Sequence, residues 1–306
     1  MKNILCVGNV SVDIKAYSAE IDDTEAYREG SIELVPGGVG RGMAINLKHL
    51  GLNTFIHSVI GKDIFGEYLK KGLNEEGVNT SLLSESEERK TALFSVMASR
   101  GKSATCVYST QILKEITFTE KVQKVIEDNK ISAIVMDSNL TEETLADFYE
   151  YKKNHPEIFV FQNATAPDIA KKTMPYAPLI DLFGCNEYEA AAILGESSVL
   201  PDLTTADKFQ ALGYKNFIIT FGEQGVMVRI GNETWNEPPY TPSQIVDTIG
   251  AGDAFASGFL MGFLENEPVK RCIHYGLACA KETLLTRQTV SNKLSKSFLE
   301  EYKTTD

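Results

Sequence analysis

An α/β fold is predicted for this chain: a mostly parallel central sheet with helices on both faces, accompanied by a small β-sheet lid. Two observations predict it. Along most of the 306 residues, short apolar β-type runs alternate with helical patterns, the mark of βα units packed in layers. Two further β-type patches, at about 14–36 and 91–110, break that alternation and suit a discontinuous second sheet over a cleft. With 43% apolar and 24% charged residues, and no repeat, linker or low-complexity tract, residues 1–306 read as one domain.

The first strand is expected over Ile4–Val7, and Gly8-Asn9-Val10-Ser11-Val12-Asp13 leaves it. A sheet of this class collects ligands at strand exits, so Asp13 could hold two hydroxyls of a polyol; the alternative is an ordinary turn aspartate. An acidic run, Glu20 to Glu25, precedes Ser31–Val35, whose alternation predicts a two-faced edge strand. Pro36-Gly37-Gly38 then turns into a helix with Met43, Ala44, Leu47 and Leu50 on its apolar face. Gly37 and Gly38 lack a Cβ and let the backbone approach a ligand. Arg41 opposes the helix dipole, so it is either solvated or reaching an anion.

A strand over Thr54–Ile60 and a helix over Ile64–Leu73 follow, and Ala92–Ala98 pairs with Thr105–Tyr108 as a hairpin around Ser99-Arg100-Gly101-Lys102. From Lys121 onward come a helix, a strand over Ala133–Met136, a helix over Glu142–Lys153, and strands over Ile158–Phe161 and Ile180–Phe183. Helices over Glu187–Leu194 and Asp207–Leu212 precede a strand pair, Phe217–Thr220 with Val226–Ile230, joined through Gly222 and Gly225.

The richest stretch is Asp247-Thr248-Ile249-Gly250-Ala251-Gly252-Asp253, small residues between two carboxylates ahead of an apolar run from Ala254 to Leu264. The spacing puts Asp253 in the first turn of a buried helix. The N–H groups of Gly250, Ala251 and Gly252 then lack helical partners and offer an anion site. The plainer alternative is a Gly-rich helix start that Thr248 and Asp253 merely cap. Asn186-Glu187-Tyr188-Glu189 has the spacing of a capping box; its functional alternative turns Asn186 toward phosphate and Glu189 toward a water-bridged magnesium ion.

A net charge of −12 disfavours nucleic acid and anionic membranes as partners. The apolar run at the N-terminus is too short for a signal sequence, and no segment approaches a membrane span. Five scattered cysteines, with no Cys-x-x-Cys pair, suit reduced thiols in the cytoplasm. The four histidines show no metal spacing. P-loop, dinucleotide and Gly-x-Ser-x-Gly signatures are missing from the chain.

Taken in order, Gly37-Gly38, Asn186-x-x-Glu189, Thr220-x-Gly222-x-x-Gly225 and Asp247-Thr248-x-Gly250-Ala251-Gly252-Asp253 resemble the ribokinase-like (PfkB) carbohydrate kinases over nearly the whole chain. The resemblance implies ATP-dependent phosphorylation of a primary hydroxyl on a small sugar or nucleoside. It makes Asp253 the base and Gly250, Ala251 and Gly252 the anion hole. ATP-magnesium falls to Asn186, Glu189, Thr220, Gly222 and Gly225, and the acceptor to Asp13, Gly37, Gly38, Arg41 and Gly42. Asp247 would sit at a monovalent-cation site, with K+ as the candidate ion. Val12-Asp13-Ile14-Lys15, Pro36 to Arg41, Asp137 to Leu145 and Thr289-Val290-Ser291 are similar to segments of the family's pseudouridine kinases.

Two departures lie on the acceptor side. Gly42 stands where the family usually has a sugar-contacting asparagine, and Tyr108-Ser109-Thr110-Gln111 lacks the acidic residue expected of a pseudouridine kinase. A kinase of ribose or fructose, or a weakly catalytic nucleoside-binding sensor, are the alternatives. The two-faced strand Ser31–Val35 could pair across a homodimer.

Overall fold

The computed structural model describes residues 2–18, 29–99 and 102–302. The acidic run Glu20 to Glu25 and the Arg100-Gly101 turn lie outside the described residues. In chain order the strands are β1 (Asn3–Val7), β2 (Ser11–Ser18), β3 (Gly30–Gly37), β4 (Asn53–Gly61), β5 (Asn79–Ser86), β6 (Ala92–Ser99) and β7 (Lys102–Ser109). The later ones are β8 (Ile131–Asp137), β9 (Phe159–Asn163), β10 (Leu182–Asn186), β11 (Asn216–Thr220), β12 (Val226–Ile230) and β13 (Glu233–Glu237). The helices are α1 (Val39–His49), α2 (Ile64–Glu75), α3 (Glu120–Asp128), α4 (Glu142–Asn154), α5 (Glu187–Leu194), α6 (Leu203–Ala211), α7 (Ala251–Leu264), α8 (Val269–Thr283) and α9 (Lys296–Glu300).

The central sheet has nine strands in the order β13-β12-β11-β10-β9-β8-β1-β4-β5, parallel from β11 to β5 and antiparallel across β11, β12 and β13. From β1 the chain winds outward first through β4 and β5, and later the other way through β8 to β11. The reversal between β1 and β8 opens a crevice at the carboxyl ends of the strands, where such sheets take ligands. Two hydrophobic clusters flank the sheet: one contains α4 and α5 residues with Phe183, Phe209, Tyr214 and Phe217, the other α1, α7 and α8 residues with Phe255 and Phe259.

The lid is a four-stranded sheet, β3-β2-β6-β7. The hairpin expectation is met, and Ser31–Val35 lies inside β3. β2 was not expected as a strand, because its alternation is inverted. Asp13 and Lys15 share the buried face, while Ile32, Leu34, Met97 and Val107 share the outer face and are exposed by 73, 52, 54 and 70%. β5 and β13 were also missed. Both are edge strands of mixed composition, held by pairing to β4 and β12 rather than by an apolar pattern. β10 runs Leu182–Asn186 instead of Ile180–Phe183, since Gly184 marks a close approach to the Phe161 ring and not a strand end. The α6 helix starts earlier than expected, capped by the Asp202 carboxylate accepting from Thr205 N–H at 2.9 Å.

α7 packs hard on α8 because small residues face the partner: a Cβ on Gly258 would lie 2.6 Å from the Tyr275 carbonyl oxygen. Its Phe255, Phe259, Leu260 and Met261 are buried, at about 1.5–3 kcal/mol each. A missing N-cap costs about 1 kcal/mol. The packing therefore outweighs the absence of any side-chain cap on this helix.

At the entry to α1, Gly38 has φ +95°, and a Cβ there would sit 2.3 Å from the Asn9 carbonyl oxygen, which accepts from Arg41 N–H at 3.1 Å. Gly38→Ala is expected to lower the free energy of unfolding by about 2 kcal/mol or more in a urea titration, through left-handed strain plus the displaced carbonyl. Gly72→Ala, in α2 with no atom within 4 Å of its Cβ, is the control. It is expected to be neutral or stabilising by up to about 1 kcal/mol.

Candidate active site

The N-terminus of α7 is open. Gly250 serves as its N-cap in a left-handed conformation, φ +88°, and a Cβ there would meet the Thr289 carbonyl oxygen at 2.2 Å. The capping role weighed for Thr248 and Asp253 is not found, as no side chain bonds this helix start. Among the described residues the Ala251 N–H makes only a long backbone contact, to the Thr248 carbonyl at 3.4 Å. A helix end anchored by its body and uncapped at its tip is suited to bind an anion.

In front of that tip lies a cleft of about 200 Å³. It brings together Asp253, Gly250, Gly252, Asn186, Glu189 and Thr220, which the sequence analysis singled out from three separate motifs. Asn163 and Thr165 also line it, and the sequence analysis missed them. Thr165 is a β-branched residue at φ +71°, a strain of about 1–3 kcal/mol of the kind concentrated at functional sites. Asn163 Oδ1 accepts from its N–H at 2.8 Å and helps hold that conformation. Gly222 and Gly225 lie in the turn between β11 and β12, outside the cleft lining; a Cβ on Gly225 would meet the Glu237 carbonyl oxygen at 2.1 Å, so the approach of β13 requires that glycine.

The capping box at Asn186 is present: Asn186 Oδ1 accepts from Tyr188 and Glu189 N–H at 2.9 and 3.0 Å, and Glu189 Oε2 from Asn186 N–H at 2.8 Å. Both side chains nonetheless line the cleft, so the cap places them where a ligand would lie. The local reading and the functional one are therefore compatible.

On the acceptor side, Asp13 is buried against Gly37, where a Cβ would lie 2.2 Å from Asp13 Oδ1. A Cβ on Gly42 would lie 3.3 Å from Asp253 Oδ2, so residue 42 borders the Asp253 carboxylate itself. Arg41 is not solvated, and the Asp13 carboxylate lies near enough for the two to act on each other. It is buried, and Nη1 donates to the Pro36 carbonyl at 3.0 Å and Thr289 Oγ1 at 3.4 Å. Thr289 Oγ1 in turn donates to the Pro36 carbonyl at 2.7 Å. Arg41 thus ties the end of β3 to the chain segment that seats Gly250.

A helix N-terminus alone would lower the Asp253 pKa, and the opposite is found. Burial, with the neighbouring Asp137, Glu189 and Asp13 carboxylates, pushes it up to about 8. The magnitudes account for this. A helix end stabilises a charge by about 0.3–1 kcal/mol, less than one pKa unit, whereas burial shifts carboxyls by up to about 3–5 units. Asp13 is pushed up to about 6 by burial, against the pull of Lys15 and Arg41. Burial also raises Glu189 and Asp137. Asp137, another residue missed as a participant, ends β8 at the sheet reversal and accepts from Asn9 and Asn139 N–H at 2.6 and 2.9 Å.

Raised carboxyls around an anion-binding helix end fit a magnesium nucleotide, whose cation would favour their ionised forms. Among the described residues no group of three or more His, Cys, Asp or Glu side chains is placed to hold a metal ion. A monovalent cation at Asp247 does not fit. The Lys15 ammonium bonds Asp247 Oδ2 at 2.5 Å, and Oδ1 accepts from Ile249 N–H at 3.0 Å. Among the described residues no helix is long and apolar enough to cross a membrane.

Residues 1–296 match the family model described as "pfkB family carbohydrate kinase". The chain is 26% identical over 297 residues to the pseudouridine kinase of Escherichia coli K12, covering 95% of this chain and 93% of that one. It is 25% identical over 276 residues to the ribokinase of Bacillus subtilis 168, covering 90% of both. Its fold superimposes on the ribokinase of Arabidopsis thaliana, solved with ribose and ATP, with a TM-score of 0.84 and 16% identity, over 98% of each chain. The family match over nearly the full length, together with an uncapped helix tip facing a buried carboxyl, makes the chain a member of the pfkB family of carbohydrate and nucleoside kinases, which are ATP-dependent phosphotransferases.

Proposed function

We propose that this kinase phosphorylates the primary hydroxyl of a nucleoside, with pseudouridine as the acceptor, and that Asp253 is its base. The observation that carries this is the Asp253 carboxyl in the first turn of α7, beside both the open amides and Gly42. The acceptor hydroxyl gives its proton to Asp253 as its oxygen bonds the γ-phosphorus and the bond to the ADP oxygen breaks. The amides of Gly250, Ala251 and Gly252 face the transferring group and stabilise its charge. Asn186 and Glu189 serve the phosphates and magnesium, Thr220 the nucleotide, and Asp13 with Gly37 and Gly38 the acceptor hydroxyls. When bound, magnesium neutralises phosphate charge. Because the transition state is loose, alignment and charge stabilisation outweigh the strength of the base.

Support for pseudouridine is the likeness to the E. coli enzyme, and Gly42 supports a second reading. Without an asparagine at 42 the acceptor pocket is wider beside Asp253, which also suits a small sugar such as ribose or fructose. The lid's exposed outer row of Ile32, Leu34, Met97 and Val107 supports a homodimer formed lid to lid, since apolar patches of this kind mark interfaces. The cysteines form no disulfide among the described residues, in keeping with a cytoplasmic setting.

ADP release measured across pseudouridine, uridine, adenosine, ribose and fructose tests the acceptor: the largest kcat/KM is expected on pseudouridine. A preference for ribose or fructose would replace it with the sugar reading, and binding without turnover on all five with a sensor. Gly42→Asn begins 3.3 Å from Asp253 Oδ2 and restores an amide at the acceptor. It is expected to raise kcat/KM on pseudouridine or ribose about two- to tenfold, the worth of one hydrogen bond; no change would count against a contact there.

Asp253→Asn is expected to lose about 10²-fold or more in turnover while still binding ATP in calorimetry. Since Asp253 must be ionised to accept a proton and its pKa is about 8, kcat/KM should rise with pH and level off above that value. The same shift has a stability sign. The folded pKa lies above the ordinary carboxyl value of 3.8, so this group's contribution is full below about 4 and is lost as pH rises through about 8. Asp253→Asn should flatten that decline in the melting temperature. Separately, Ile32→Glu with Val107→Glu is expected to yield monomers in sedimentation velocity if the lid forms the dimer.

A further inference from the structure

We infer that the Lys15 ammonium is the built-in monovalent cation of the phosphate site, so that this kinase works without bound potassium or sodium. Lys15 sits on β2, on the inner face of the lid, and its side chain is only 2% exposed. Its Nζ reaches Asp247 Oδ2 at 2.5 Å and the Arg287 carbonyl oxygen at 3.3 Å. These acceptors come from the two segments that shape the anion turn. Asp247 Oδ1 holds Ile249 N–H, directly before Gly250, and two residues beyond Arg287 the Thr289 carbonyl packs on Gly250.

An oxygen-lined pocket between a carboxylate and a backbone carbonyl is the environment an alkali cation would take. An alkylammonium carries the same charge at similar size and brings three donors to it. A lysine delivered by the protein occupies that position at any salt composition. It also joins the lid to the turn, and the ion pair between Arg287 and Glu33 of β3 reinforces the link. Lys15 is thus a positioning residue: it touches no reacting atom but fixes the segment from which the Gly250 to Gly252 amides project.

The inference rests on the α7 tip being a phosphate site, and the test keeps the two separable. Binding of the magnesium complex of a non-hydrolysable ATP analogue, AMP-PNP, is measured by calorimetry, and thermal unfolding is followed without nucleotide. Both are done in KCl and in tetramethylammonium chloride at equal ionic strength. The wild-type protein is expected to give the same affinity and melting temperature in both salts. Lys15→Ala is expected to bind the analogue at least about fivefold more weakly in tetramethylammonium, as typical for a coupling between two sites. Potassium should restore that affinity and raise the variant's melting temperature along a saturating curve, as an ion entering the vacated pocket must.

Potassium dependence of the wild-type protein in either measurement would overturn the inference. So would a Lys15→Ala protein indifferent to potassium, which would reduce Lys15 to a structural ion pair. If Lys15→Ala does not fold, the wild-type comparison and Lys15→Met decide. If AMP-PNP binds no form, the phosphate-site reading fails, while the melting curves still decide whether Lys15 replaces an ion.

Discussion

The site depends on α7 being anchored by its body so that its tip can stay unsatisfied. A helix start with no side-chain cap frays unless something else holds it, and here α8 and α1 do so through a stripe of buried aromatic and small residues. The amides at Gly250 to Gly252 then remain available to a ligand. Gly250 is the one residue type that can turn there, at positive φ and pressed against the Thr289 carbonyl. Binding energy at the tip is thus borrowed from core packing elsewhere in the molecule.

Anchoring a helix tip over the sheet reversal also crowds carboxyls around it. Asp13, Asp137, Glu189 and Asp253 come from β2, β8, α5 and α7, and burial raises the pKa of each. In the free enzyme part of that charge is cancelled by protons. In the proposed reaction, magnesium bound with the nucleotide would favour the ionised carboxylates, including the Asp253 form that can accept a proton. An acidic protein of net charge −12 can therefore take an acidic substrate without a broad basic surface. The cations it does bring inward, Lys15 and Arg41, are both fastened to loop segments behind the site rather than exposed to the ligand.

Local pattern explains what was legible in the sequence. The α7 run, the capping box at Asn186 and Glu189, and the βα alternation are local, so they could be read directly, and the cleft brings those motif residues together. What was hidden is non-local or inverted. Asp137, Asn163, Thr165 and Thr289 matter only because sheet order and the α1 entry bring them to residues tens to hundreds of positions away. The Asp253 pKa is non-local in the same way, as three of its perturbers belong to other elements. β2 was invisible because its charged residues face inward.

That inversion of β2 has a physical cause. An aspartate and a lysine on alternate residues of one strand share a face, and a sheet can bury such a face only where each finds an opposite charge or a hydroxyl-bearing ligand. Lys15 finds Asp247; Asp13 has Arg41 nearby and is otherwise turned to the space before Gly37. With Asp13 and Lys15 on the inner face beside Val35, it is Ile32 and Leu34 of β3, Met97 of β6 and Val107 of β7 that face outward. The lid thus mixes charged and apolar residues on its covered face and leaves an apolar row outside, the reverse of an ordinary half-buried sheet, because its covered face looks onto the cleft carboxyls and not only onto hydrophobic core.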